Sequence, residues 1–164
     1  MSIKTNFYDG QSYLPQDMIN PWKSLLDDGV FNVSSGALAP SANSPANLSA
    51  NIAAGAAIKN GYYIKSDAAV NIPITSNTSG YNRIDIIVLE VDPDNKVTSI
   101  KAVQGAPSSS PTAPLPTANQ LKIAEVSVGN NVSVINTENI TDKRINVDLF
   151  GSQLASSAVI DSGS

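Results

Sequence analysis

The sequence predicts a mainly β protein, a compact antiparallel β-sandwich-like domain with one short N-terminal helix. Three observations favour this class: short apolar runs with period-two alternation, tight-turn dipeptides between them, and helical spacing confined to the first segment. A chain of 164 residues has the length of one domain. We expect an N-terminal arm and helix at 1–33, the β domain at 34–149, and a flexible tail or the start of a stem at 150–164.

The helix is predicted in the segment LPQDMINPWKSLLDDGVF. Pro15 suits the first turn, Asp17 favours the N-terminal end, and Gly29 provides a C-terminal stop. Alternatively, the proline at position 21 splits the segment, and Asn20 then caps a shorter helix over 21–28.

One face of this helix is apolar and must be covered by something. Met18, Trp22, Leu25 and Leu26 share that face at positions i, i+4, i+7 and i+8. We expect Trp22 to be a core anchor, because a single tryptophan at helical spacing usually packs inside. An exposed ring for stacking on a sugar is the alternative.

Short β-strands follow a loop that we expect at Ser34–Pro45, where Ser, Ala, Pro and Gly dominate. Period-two apolar positions predict strands through Leu48 to Ile52 and through Val70 to Ile74. Between them, Asn60-Gly61 lies between apolar runs and predicts a β-hairpin.

The strongest predicted strand is Arg83–Val91. Its middle, IDIIVL, is apolar at both parities apart from one acid, which is typical of a central strand covered on both sides. Asp92-Pro93-Asp94-Asn95 then predicts a turn, and Lys96–Gln104 returns as the partner strand. The acids of this turn lack the spacing of a calcium-binding loop, so we interpret it as a plain turn.

Residues 105–119 contain four prolines and predict a polyproline-like strap across the surface. We interpret it as a connector, and a docking site for a partner is the alternative. The run LKIAEVSVG then resumes a strand, and Asn130-Asn131 predicts the turn that follows.

Composition narrows the function. The chain has no Cys and no His, which excludes thiolate nucleophiles, Ser-His-Asp triads and the commonest transition-metal ligands. Carboxylate-pair glycoside hydrolysis, Ser-Lys chemistry and oxygen-ligated calcium or magnesium stay open. The net charge of −4 is scattered, so we expect no nucleic-acid partner. With neither a secretory signal nor an apolar run of about 18 residues, we also expect no membrane insertion. We predict no cofactor and no metal.

The two arginines of the chain each lie next to an acid: Arg83 with Asp85, and Arg144 with Asp142. In a strand, residues two apart project from the same face, so we predict a structural ion-pair network. The rival interpretation is a two-carboxylate glycosidase. An arginine lowers the pKa of a neighbouring carboxyl group, which makes that group unsuitable as a general acid. We therefore favour the structural ion-pair network.

The chain also resembles a known family. It carries, in order, an N-R-I-D strand, a D-x-x-N-type turn, a Q-G-A-P strand end in place of a basic version, an S-S-P-T-A-P-L strap, an I-A-E strand and an I-T-D-K-R ending. Upstream lie a D-G-V-F segment after the helix and a G-Y-Y strand. This series, over about Phe7 to Leu149, is similar to the shared N-terminal module of tail-tip proteins, such as upper baseplate proteins and tail fibres, of phages that infect Gram-positive bacteria.

The resemblance implies a non-enzymatic virion structural protein: an attachment or adaptor module of a tail tip or baseplate, linking the tail to receptor-binding components. It implies other tail-tip proteins as partners, a homotrimer, and a place in the virion after assembly in the bacterial host cytoplasm. The alternative function is a carbohydrate-binding module of the same particle that recognises host surface polysaccharide, for which Tyr62 and Tyr63 are the candidate aromatics. A glycosidase of the host wall ranks third.

Overall fold

The structure is a computed structural model that describes residue 12 and residues 14–147. Within these residues the protein is mainly β, with ten strands in three antiparallel sheets and one α-helix, which confirms the predicted fold class. The helix α1 is Pro15–Leu25, and the strands are β1 Gly29–Val30, β2 Pro40–Ala42, β3 Ser49–Ile52, β4 Gly55–Lys59, β5 Tyr62–Ser66, β6 Val70–Pro73, β7 Arg83–Asp92, β8 Val97–Val103, β9 Gln120–Val128 and β10 Ile140–Asp142. The predicted tail at 150–164 lies outside the described residues. None of the helices in the described part has the length and apolar character needed to span a membrane.

Two sheets enclose the core. The sheet β10-β9-β7-β8 is joined at its two edges to the sheet β2-β3-β6, because β10 contacts β2 and β8 contacts β6. The third sheet, β1-β4-β5, extends the same core. Fully or almost fully buried aliphatic side chains from all three sheets form one cluster: Val30, Ala50, Ile52, Ala57, Ile72, Ile87, Leu89, Ile123, Val126 and Val128.

Strand β7 is the central strand, as predicted, with β8 on one side and β9 on the other. Ile87 and Leu89 face the core cluster, while Ile86 and Val88 point to the opposite face and are equally buried. Both neighbours run antiparallel to β7 and are therefore parallel to each other, so the chain that joins them must cross β7. That crossing segment, residues 105–119, is in position to cover the second face.

The crossing segment contains neither a helix nor a ladder strand in the structure. Ser108, Pro111, Ala113, Pro114 and Pro116 are half-buried, and the other residues from 106 to 119 are exposed. Its four prolines lack the N–H that a helix or a ladder strand needs. The segment is therefore the connector between β8 and β9, and its polyproline conformation stays a prediction.

The predicted hairpin is confirmed. Lys59 pairs with Tyr62, so Asn60 and Gly61 form a two-residue loop, and both have positive φ (52° and 82°). This backbone is the type I′ turn that Asn-Gly favours, because its twist matches that of the flanking strands.

One strand lies in a segment that the sequence predicted as a loop. Strand β2 falls within Ser34–Pro45 and pairs with β3 along Pro40–Ile52, Ser41–Asn51 and Ala42–Ala50. Its Pro-Ser-Ala sequence has low strand propensity, and the pairing comes from the edge of β3 that is available to it.

The helix differs from the prediction in its end. It runs through Pro21 without a break and ends at Leu25, so both the shorter helix at 21–28 and the stop at Gly29 are wrong. Gly29 instead begins β1, where a Cβ would lie 2.7 Å from the backbone carbon of Asn146. The glycine is required by this close approach of two backbones.

Trp22 is not a core anchor, since 53% of its surface is exposed and α1 has no buried residue. The helix contacts the rest of the described protein mainly along β5. There, Gly61 lies so close to the helix that a Cβ would be 2.7 Å from the carbonyl oxygen of Ile19. Contact along the Ile19 side leaves the apolar face with Met18 and Trp22 outside the core.

Candidate functional site

Arg83 and Asp85 form a buried ion pair at the start of β7. The guanidinium donates from Nε to Asp85 Oδ1 at 2.9 Å and from Nη2 to Oδ2 at 3.1 Å. The side chains are 1% and 2% exposed, respectively. Because β-strand residues two apart project to the same side, the strand itself sets this two-point geometry.

The same pair holds two neighbouring segments. Arg83 also donates from Nη1 to the carbonyl oxygen of Ser76 at 3.1 Å and from Nη2 to that of Thr75. Asp85 Oδ1 accepts the backbone N–H of Gly105 at 2.9 Å. The unit therefore ties the segment after β6, the start of β7 and the beginning of the strap together. Gly105 is specifically suited to this place, since a Cβ there would lie 2.0 Å from the carbonyl oxygen of Ile84.

Asp142 and Arg144 form a second, more exposed pair. Arg144 Nε donates to Asp142 Oδ1 at 2.9 Å, and Nη2 donates to Oδ2 at 2.6 Å. Arg144 Nη1 also donates to the carbonyl oxygen of Ala37, which ties the chain after β10 to the loop before β2. The hydrogen bonds from Arg144 hold the pKa of Asp142 below its usual range. The two arginine pairs share no hydrogen-bond partner, so they are two separate clamps.

A general acid for glycoside hydrolysis needs a carboxyl group with a raised pKa. In the described residues, each carboxyl group with a shifted pKa is shifted downward, because a cation or an amide donates a hydrogen bond to it: Glu90, Asp92, Glu125 and Asp142. Within the same residues, no three His, Cys, Asp or Glu side chains lie together in a way that could hold a metal ion.

The candidate aromatics Tyr62 and Tyr63 do not form one surface. Adjacent residues of a strand point to opposite sides, and Tyr62 packs against the core cluster. Tyr63 is 64% exposed, and its ring lies 5.9 Å from that of Phe31, centroid to centroid. Tyr63 therefore exposes most of its ring, whereas Tyr62 is half-buried and lines a separate open pocket with Pro15 and Val91.

The sequence interpretation missed a clamp at the hairpin tip. Asp28 Oδ2 accepts from Lys59 Nζ at 2.7 Å, and its Oδ1 accepts the backbone N–H of Asn60 at 2.6 Å. Asn60 Nδ2 reaches the carbonyl oxygen of Ala118 near the end of the strap, at 3.2 Å. Asp28 and Lys59 are 31 positions apart, so no local pattern could have indicated this contact.

Asn77 was missed as well. Its side chain is almost fully buried, and its Nδ2 donates to the carbonyl oxygens of Tyr81 at 2.8 Å and Val128 at 3.1 Å. Its Oδ1 accepts from the hydroxyl of Ser79 at 2.7 Å. An asparagine in a polar segment gives no sequence signal of burial, because asparagine is mostly exposed in proteins.

No family model, curated protein or solved structure matches this chain. The expected function therefore depends on the motif series described above. In the structure, the N-R-I-D motif opens β7, the strap joins β8 to β9, and the I-T-D-K-R motif forms β10 and the second arginine clamp. Arg83 and Asp85 of the first motif, and Asp142 and Arg144 of the last, form their hydrogen bonds within the chain.

Proposed function

We propose that the protein is a non-enzymatic virion structural protein, an attachment or adaptor module of a phage tail tip or baseplate that links the tail to receptor-binding components. It acts by stable assembly with other tail-tip proteins, as a homotrimer, after synthesis in the cytoplasm of the bacterial host. The proposal rests on the resemblance of its ordered motifs to the tail-tip family.

The observation that carries the proposal is the buried pair Arg83 and Asp85. Among the described residues, these two charged side chains are the most strongly shielded from water, and their hydrogen bonds go to each other and to neighbouring segments of the chain. A charge fixed in this way has no free atom to offer a substrate, but it holds three segments in one arrangement. Charge used in this way serves the shape of the domain, as a structural role requires.

The experiment that tests the proposal is mixing the purified protein with each of the other tail-tip proteins of the same particle and separating the mixtures by size. We expect co-elution with at least one of them at a fixed ratio. Elution of the protein alone in every mixture would contradict the adaptor role. Release of reducing sugar from host cell walls by the protein would contradict its non-enzymatic character.

A second candidate function is recognition of host surface polysaccharide, favoured by the exposed ring of Tyr63 beside Phe31. Exposed aromatic faces are the groups on which sugar rings stack. If this function holds, Tyr63→Ala abolishes binding to purified host polysaccharide while the fold is retained. Tyr81→Ala is the matched control, because Tyr81 is also more than half exposed but lies before β7, away from Phe31.

A further inference from the structure

A stripe of large apolar side chains runs along the exposed side of α1. Leu14, Met18, Trp22 and Leu25 follow each other at helical spacing, and they are 69%, 49%, 53% and 44% exposed. The helix has only eleven residues, and none of its residues is buried. A helix of this length is only marginally stable in water when its apolar face is unpacked. Packing of the stripe against a partner would therefore stabilise the helix.

An apolar pocket lies beside the stripe. It has a volume of about 420 Å³ and is lined by Trp22, Leu26, Phe31, Ile58 and Tyr63. Its walls offer almost no polar atoms, so an apolar group can enter it without losing hydrogen bonds to water. The pocket suits an aliphatic or aromatic side chain of a protein.

We propose that the α1–β5 surface, formed by Leu14, Met18, Trp22 and Leu25 of the stripe with Tyr63, is the contact between two copies of this chain. The inference rests on the proposed structural role and adds to it a surface and its occupant. Most soluble oligomers are homo-oligomers, and their contacts are formed by patches of the same chain.

The area of the surface fits this use. Five large side chains with about half of their surface free present on the order of 500 Å² of apolar area. A standard interface takes about 800 Å² from each partner, and a little over half of it, about 450 Å², is apolar. The surface therefore has the apolar area that one partner contributes to a standard interface.

The surface also offers another copy features that complement each other in shape and in charge. It carries projecting side chains, such as Met18, next to a pocket that can receive one from another copy. Its rim has both signs of charge: Lys23 and Asp27 are exposed on the helix side, and Lys65 and Asp67 form an exposed pair on the β5 side. Both signs of charge at the rim allow a second copy to approach although each copy carries a net charge of −4.

The single tryptophan makes the test direct, since Trp22 lies within the surface itself. We expect sedimentation velocity of the full chain to show self-association as concentration rises from micromolar toward millimolar. Over the same range the Trp22 emission moves to shorter wavelength, because the ring leaves water. A chain that stays monomeric with constant emission throughout this range overturns the proposal.

Two variants locate the contact. Met18→Gln keeps the length and helix propensity of the side chain but makes it polar, and we expect it to weaken self-association by about tenfold or more. Leu115→Gln makes the same polar change at an 87% exposed position on the strap, and it leaves self-association unchanged. Equal association of the wild type and Met18→Gln places the contact elsewhere and overturns the proposal.

The same measurements separate this inference from the proposed function. If the chain is monomeric but its Trp22 emission shifts when another tail-tip protein co-elutes with it, a different protein occupies the surface. In that case the copy-to-copy contact and the homotrimer are overturned, and the adaptor role stands. If the chain self-associates through Met18 but co-elutes with none of those proteins, the contact stands and the adaptor role falls.

Discussion

The start of β7 and the exposed side of α1 place their side chains in opposite environments: charged residues are buried in the first, and apolar residues are exposed in the second. At β7, two charged residues, Arg83 and Asp85, are buried and bonded to each other and to neighbouring backbone. On α1, large apolar residues such as Trp22 lie in water. Each arrangement has a cost in free energy for an isolated chain: the first removes charges from water, and the second exposes hydrocarbon to it. Each therefore needs a compensating interaction.

The difference lies in where the compensation is found. The β7 clamp is compensated inside the chain, since its hydrogen bonds all go to residues of the same domain. The α1 stripe has no such compensation within the described residues, and we place it in a second copy. The comparison therefore predicts that substitutions at the clamp alter the stability of the monomer, whereas substitutions on the stripe alter association.

Removal of the buried arginine is expected to have the largest effect. Arg83→Ala leaves Asp85 buried without its cation, and we expect a loss of about 3–5 kcal/mol in the free energy of unfolding. Urea denaturation measures it. The control is Lys101→Ala, which removes the exposed partner of Glu90 and is expected to cost less than about 1 kcal/mol. Equal losses in the two variants would remove the basis of the comparison.

Arg144→Ala is expected to have an intermediate effect. Asp142 is 45% exposed, so water replaces part of what the guanidinium provides, whereas the carbonyl of Ala37 loses its charged donor. We expect a loss of about 1.5–3 kcal/mol, the range for hydrogen bonds to charged groups. Thermal and urea unfolding of Arg144→Ala and Arg83→Ala, measured side by side, rank the two losses in the free energy of unfolding. A larger loss for Arg144→Ala than for Arg83→Ala would contradict the prediction.

The contribution of the Arg144–Asp142 pair to stability is expected to depend on pH. Arg144 lowers the pKa of Asp142 in the folded protein, so this pair stabilises the fold fully above the unfolded pKa of about 3.9. The contribution is lost as the pH falls through the lower, folded pKa. The stability difference between the wild type and Arg144→Ala should be constant near neutral pH and shrink below about pH 4. A difference that grows in acid would show that the pair acts in another way.

The smallest effect on the monomer is expected on the stripe. Trp22→Ser at low concentration should change the free energy of unfolding by less than about 1 kcal/mol, because the side chain is half in water already. Ile52→Ala, at a fully buried position of the core, is the reference and should cost about 2–5 kcal/mol. Far-UV circular dichroism follows both variants without the tryptophan signal. A loss for Trp22→Ser close to that of Ile52→Ala would mean that α1 is part of the core after all.

The features that the sequence predicted are those whose cause is local. The hairpin follows from two residues that tolerate positive φ, and the central position of β7 follows from apolar residues at both parities. The Arg83–Asp85 pair follows from two side chains on one side of one strand. Each of these requires fewer than ten consecutive residues, so one sequence suffices.

The features that the sequence did not predict depend on distant partners. Strand β2 exists because β3 offers it an edge, and Asp28 meets Lys59 across 31 positions. The exposure of Trp22 is of the same kind. Helical spacing shows that a face is apolar, but it does not tell whether the same chain or another one covers it.

The short pairing between β1 and the chain after β10 has a mechanical consequence. Val30 donates its N–H to the carbonyl oxygen of Ile145 at 2.8 Å and accepts from the N–H of Val147 at 3.1 Å, in a parallel bridge. A force that pulls on the chain before Gly29 and after Val147 slides these two parallel segments past each other. Both hydrogen bonds then bear the load together, whereas in an antiparallel hairpin they would open one after the other. Tension applied between these two points of the chain would thus meet resistance in shear here, before it reaches the interior of the domain.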